Sequence, residues 1–157
     1  MTKEQIQEFT LKITQANPSE IIVLVYDMAD QYIKDALEAF DKNDREGFRN
    51  NCKNAGRCVG DLMEALDFRY EPSVPLMRIY IYISKEITLA PVKNDVEGLK
   101  AVKGLMLSLR DSFKEMAKQD KSGPVMGNTE QVYAGLTYGK NSLNESINGI
   151  YNRGFKA

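Results

Sequence analysis

The chain has 157 residues, 43% hydrophobic and 27% charged, enough for one domain that buries roughly 70% of the surface its unfolded chain would expose. With 21 Lys and Arg against 22 Asp and Glu the formal net charge is −1, so no global field draws in nucleic acid or an anionic membrane. Histidine is absent, which excludes Ser-His-Asp, Cys-His and Glu-x-x-His chemistry and removes half of the usual zinc or di-iron ligand set.

The segment from Thr2 to Gln15 reads as a short amphipathic helix, with Thr2 and Gln5 spaced as a capping box and Ile6, Phe9 and Ile13 on one face. Asn17-Pro18-Ser19-Glu20 then combines an N-cap residue, proline at the first helical position and glutamate at the third. A long helix to about Asn43 is expected. Its longest apolar run, Ile21 to Tyr26, is far short of the roughly 20 residues that cross a bilayer. The polar start Met1-Thr2-Lys3-Glu4-Gln5 is no signal peptide, so a soluble cytoplasmic protein without membrane insertion is expected. Asp27, Asp30, Lys34 and Glu38 follow a polar side and read as a solvated face.

A second long helix, about Asp44 to Phe68, carries Phe48, Cys52, Ala55, Val59, Leu62 and Leu66 in steps of four and three, the seam of left-handed bundle packing. Cys52 and Cys58 point to sides of it about 120° apart, so they cannot pair locally and read as reduced thiols. Gly56 and Gly60 sit one turn apart beside the seam, each less favourable than alanine by about 0.8 to 1 kcal/mol. Something approaches closely there, either a neighbouring helix or a bound partner.

A third helix from about Pro75 to Ala90 shows the seam Leu76, Tyr80, Ile83 and Ile87. A fourth from about Asn94 to Lys118 shows Leu99, Val102, Met106, Leu109, Phe113 and Met116. The five prolines fall between helical segments and not inside one. The fold class is therefore all-α: an antiparallel four-helix bundle with an additional short N-terminal helix. The bundle domain spans 1–118. The remainder, 119–157, is a Gly/Asn-rich, weakly helical tail in which Val132, Leu136, Leu143, Ile147 and Ile150 could line one side.

Two helices carry more apolar surface than a bundle core requires. On the first long helix Ile21, Val25, Met28, Tyr32, Ala36 and Ala39 lie within about 80° and satisfy the core, while Ile22, Tyr26, Ile33, Leu37 and Phe40 extend the apolar arc beside them. On the third, Met77, Ile81, Tyr82 and Leu89 fall away from the seam. Either the N-terminal helix and the tail cover this surplus, or it forms a groove for an apolar helical partner. No convergent ionisable groups sit on any expected seam, so no catalytic residue, metal ligand or cofactor is assigned.

Phe9-x3-Ile13-x2-Ala16-Asn17-Pro18-Ser19-Glu20 running into Ile21-Ile22-Val23-Leu24-Val25-Tyr26-Asp27-Met28-Ala29 resembles the opening of the FliS family of flagellar export chaperones. Leu62-Met63-x2-Leu66-Asp67-Phe68, Ile79-Tyr80-x-Tyr82-Ile83, Ala90-x3-Asn94-Asp95 and Leu109-Arg110-Asp111-Ser112-Phe113 follow in that family's order, so the resemblance covers about residues 9 to 116. Arg69-Tyr70-Glu71-Pro72 replaces the family's usual glycine-rich turn, and Phe113 stands where tryptophan is common.

The resemblance implies a cytoplasmic bundle that is not an enzyme and holds the C-terminal segment of flagellin as separate helical pieces around its surface. It would thereby prevent premature polymerisation and assist export, with flagellar export components as further partners. The client-binding residues expected are Ile22, Val25, Tyr26, Ile33, Leu37, Met77, Ile81 and Tyr82. The protein is expected as a monomer or weak homodimer. The competing reading is a structural bundle that homodimerises through its surplus faces and has no flagellin client.

Overall fold

The computed structural model describes residues 1–127, which form one compact unit of five helices: α1 (Lys3–Gln15), α2 (Pro18–Asp41), α3 (Arg45–Glu64), α4 (Ser73–Lys93) and α5 (Glu97–Ala117). No strand occurs among the described residues. The tail positions Val132, Leu136, Leu143, Ile147 and Ile150 lie outside them.

Local chemistry places the helix starts. Thr2 accepts from the Gln5 backbone N–H while the Gln5 side chain accepts from the Thr2 N–H, and Asn17 and Glu20 repeat the same reciprocal box at α2. Asp44 caps α3 through the Gly47 N–H at 2.9 Å. A Cβ on Gly47 would meet Asp44 Oδ2 at 2.2 Å, so only glycine fits this cap as it stands. Asn43 and Asn94 adopt the left-handed conformation, φ 55° and 52°, and turn the chain out of α2 and α4.

Boundaries differ from the sequence pattern at α3, at α5 and at both ends of α4, which begins at Ser73 and so also takes in Pro75 in its first turn. The third helix runs on to Lys93 with Pro91 inside it. Proline there removes only the bond to the Ile87 carbonyl and the helix stops two residues later, so it is tolerated. Asn94 closes α4, and α5 therefore begins at Glu97. The second long helix ends at Glu64, four residues before Phe68.

Helix α2 packs on α3 and α5, and α4 packs on the same two, so four helices close a ring with α2 and α4 on its diagonal; α1 packs on α2 alone. Successive helices run antiparallel. Between α2 and α5, Asp27 meets Arg110 at 3.1 Å while Ser19, earlier in α2, donates to Asp120 at 2.6 Å, beyond the end of α5. Residues 119–127 return to the α1–α2 corner, where the Val125 N–H donates to the Ala16 carbonyl at 3.1 Å. The expected seams of α3 and α5 are found inside: Phe48, Cys52, Ala55, Val59 and Leu62 on one, Leu99, Val102 and Met106 on the other. Met116 lies outside that core and is exposed.

At the centre of the ring the hydroxyls of Tyr26 and Tyr80 hydrogen-bond to each other across the diagonal. Both side chains are buried, and the Tyr26 ring packs on Phe113 at 5.5 Å between centroids. Each hydroxyl is thus satisfied without water, which is what a buried polar group needs.

Candidate functional site

The apolar arc of α2 is turned relative to the sequence expectation. Its buried residues are Tyr26, Ala29, Asp30, Ile33, Ala36 and Ala39, whereas Ile21, Val25, Met28 and Tyr32 are only half-buried. Ala36 and Ala39 of the expected core stripe stay inside, and Tyr26 and Ile33 of the expected surplus join them. A wheel fixes the order of residues around a helix but not which part of a wide apolar arc meets the neighbours. Here Ala29 and Ala36 sit within the inward face, where small side chains let helices approach closely.

This corrects two of the eight expected contact residues. Tyr26 is 1% exposed and Ile33 is 0% exposed, so both belong to the core and present nothing to a partner. Ile22, Val25 and Leu37 are half-buried at its margin. On α4, Met77 is half-buried, while Ile81 and Tyr82 stand 53% and 47% exposed. Ile22, Val25 and Leu37 pack against the core from the margin of the inward face of α2, so of the six only Ile81 and Tyr82 on α4 are exposed.

The α4 surface is larger than the sequence reading made it. Val74, Ile81 and Val92 fall within about 20° on a wheel, opposite the buried Tyr80, Ile83 and Ile87, and all three are exposed. Phe68 and Tyr70 in the α3–α4 connection are exposed beside its start. The 74/81/92 spacing was the available signal. The connection gave none, because a turn residue's exposure does not show in periodicity.

The polar side of α2 also differs from a plain solvated face. Asp30 is buried, with Oδ2 held by Lys34 Nζ at 2.6 Å and Oδ1 without a partner among the described residues. Asp27 reaches across to Arg110 of α5, whose guanidinium also holds Asp111 at 2.7 Å. Beside this edge a cleft of about 510 Å3 opens between α1, α2 and α5, floored by Ala16, Val23, Leu24 and Ala117.

Gly60 has no heavy atom within 4 Å of where a Cβ would sit, and Gly56 has only Ile87 Cγ2 at 3.9 Å. Neither glycine is required by a close neighbouring helix. Burial pushes the Cys52 and Cys58 thiols up to about 11, which leaves both as unreactive thiols near neutral pH. Among the described residues no group of three or more Cys, Asp and Glu is arranged to hold a metal ion. No described helix is long and apolar enough to cross a membrane.

The sequence model of the family described as "Flagellar protein FliS" matches residues 1–120. A curated relative, the flagellar secretion chaperone FliS of Bacillus subtilis (strain 168), is 25% identical over 109 residues, 69% of this chain and 82% of that protein. The match takes in all five helices and most of the chain, and the chain belongs to the FliS family.

Proposed function

We propose that this protein is a cytoplasmic flagellar secretion chaperone that binds the C-terminal segment of flagellin, keeps it from polymerising and assists its export. The family match over residues 1–120 carries the reading. The surface supports it: an all-helical core closed by Tyr26, Ile33, Ile83 and Leu99 leaves Val74, Ile81, Tyr82 and Val92 exposed on α4, and Ile22, Val25 and Leu37 half-covered on α2. Exposed apolar stripes at helical spacing recognise amphipathic helices. The exposed α4 stripe offers a seat to one helical piece of such a client, and the half-buried α2 residues border the core beside their helix's buried face. Nothing in this role calls on catalysis, a metal or a cofactor. Components of the flagellar export apparatus are further partners in the proposal.

The test contrasts two substitutions of one chemistry. Ile81→Glu puts a charge where water already reaches, so helicity and the unfolding midpoint stay near those of the parent while capture of the flagellin C-terminal segment weakens more than roughly tenfold. Ile33→Glu buries the same charge in the core and unfolds the protein. Intact capture by a folded Ile81→Glu variant would remove the α4 surface from the binding site.

A further inference from the structure

Helix α3 carries Arg45, Arg49, Lys53 and Arg57 at four-residue intervals, all exposed. None of them is in an ion pair among the described residues; Arg57 meets only Asn54 of its own helix, at 3.4 Å. The same holds for Arg78 and Lys85 on the outer side of α4. Among the described residues seven cations elsewhere, Lys12, Lys34, Lys42, Arg69, Lys100, Arg110 and Lys118, each hold a carboxylate, while Lys3, Lys93, Lys103, Lys114 and Lys121 stand singly without one, so the α3 row differs in being four such cations in sequence on one helix. The carboxylates of α3 stand at its two ends, Glu46 in the first turn and Asp61 and Glu64 in the last, so the middle is left to unpaired cations. Like charges four apart on a helix repel, and the nearest acids of α3, Glu46 and Asp61, stand at the ends of the row and form no ion pair with it.

Beside this ladder the surface changes character. Gly56 touches Ile87 of α4, which places the Gly56–Gly60 edge of α3 along α4, and Gly60 faces open space. Because the helices run antiparallel, Gly60 lies level with the middle of α4, near the exposed Ile81, and Met77 comes a turn further on. An open glycine lets a partner's backbone approach closely.

We propose that the α3–α4 edge binds an amphipathic helix of the client whose apolar side covers Gly60, Met77 and Ile81 and whose acidic edge pairs with Arg49 and Lys53. The inference rests on the chaperone reading above and adds the charge of the bound segment. Charge complementarity selects the occupant, since a second basic helix would meet the ladder's repulsion. Pairs at such a rim set on-rate and register, and they are screened by salt.

The experiment uses the full chain and the flagellin C-terminal segment as probe, with binding measured at about 50 mM and about 500 mM salt. Arg49→Glu with Lys53→Glu is compared with Lys3→Glu with Lys121→Glu, which changes charge equally at exposed sites away from the edge. The first pair is expected to weaken binding at least about fivefold at low salt and less than about twofold at high salt, with unchanged helicity. The second pair should change it less than about twofold. A probe with its Asp and Glu replaced by Asn and Gln should lose affinity for the parent and show no response to the Arg49/Lys53 pair. Equal binding by both variant pairs, or a loss that is the same at both salts, overturns the inference. If the parent does not bind the flagellin segment, the flagellin reading fails, and the edge is tested with a Leu/Glu amphipathic helical peptide against its Leu/Lys counterpart. Tighter binding of the acidic peptide, abolished by the Arg49/Lys53 pair, then upholds it, and equal binding of the two overturns it.

Discussion

Replacing Tyr26 with phenylalanine removes one of two hydroxyls that satisfy each other at the centre of the ring. The loss has two parts. One is the net worth of the hydrogen bond, about 0.5 to 1.5 kcal/mol, and the other is the desolvation left on the Tyr80 hydroxyl, about 1 to 3 kcal/mol. Tyr80 is 1% exposed, so water cannot step in, and each single substitution should destabilise by about 2 kcal/mol. The double substitution removes both polar groups and keeps both rings, including the Tyr26 contact with Phe113, and should lie within about 1 kcal/mol of the parent. Urea unfolding of the four proteins gives a coupling energy of at least about 1.5 kcal/mol if the pair acts as one unit. Additive effects, or singles below about 0.5 kcal/mol, would refute the reasoning. A second readout separates core from contact surface: Tyr26→Phe should bind flagellin within twofold of the parent, roughly, because its hydroxyl faces Tyr80 and not a partner.

Burial raises both tyrosines above the usual phenol value. A group whose folded pKa lies above its unfolded one contributes stability that is complete below the unfolded value, about 10, and is lost as pH rises beyond it. Alkaline unfolding should therefore begin above about pH 10 and be weakened in the Tyr26→Phe, Tyr80→Phe double variant. At the other extreme, hydrogen bonds from Ser122 and Ser19 hold the Asp120 carboxyl down at about 2. That contribution is complete above about pH 4 and disappears as pH falls toward 2, so the 119–127 segment should loosen from the α1–α2 corner in acid, visible in the Ser19 and Val125 amide signals, and Asp120→Asn should abolish the titration. A disulfide-exchange reagent should label neither Cys52 nor Cys58 in the native protein at neutral pH and both in denaturant; fast native labelling would contradict their burial.

Much of the fold was legible because its signals are local. The two capping boxes and Pro18 at the first helical position appear where the residues put them, and the four-three seams hold from Phe48 to Leu62 on α3 and from Leu99 to Met106 on α5 before fading toward the helix ends. The rotation of α2 was not legible. About half of its circumference is apolar, and the sequence pattern put one edge of that arc against the bundle where packing against α3 and α5 selected its middle. That choice moved Tyr26 and Ile33 from the expected contact surface into the core. On α4 the seam is narrower, and of the excess beside it Ile81 and Tyr82 are exposed while Met77 and Leu89 are half-buried. Asp30 escaped for a similar reason: helical spacing shows a charge pattern but not that α2 is buried on that flank.

The most direct test of the account is the mass and composition of the particle formed when this chain is mixed with the C-terminal segment of the flagellin made by the same cell, read by light scattering after size exclusion. The account predicts a stoichiometric complex of one chain with one segment, lost in the folded Ile81→Glu variant. A stable homodimer that captures no flagellin segment would contradict it and favour a bundle that pairs with itself through the same exposed α4 face.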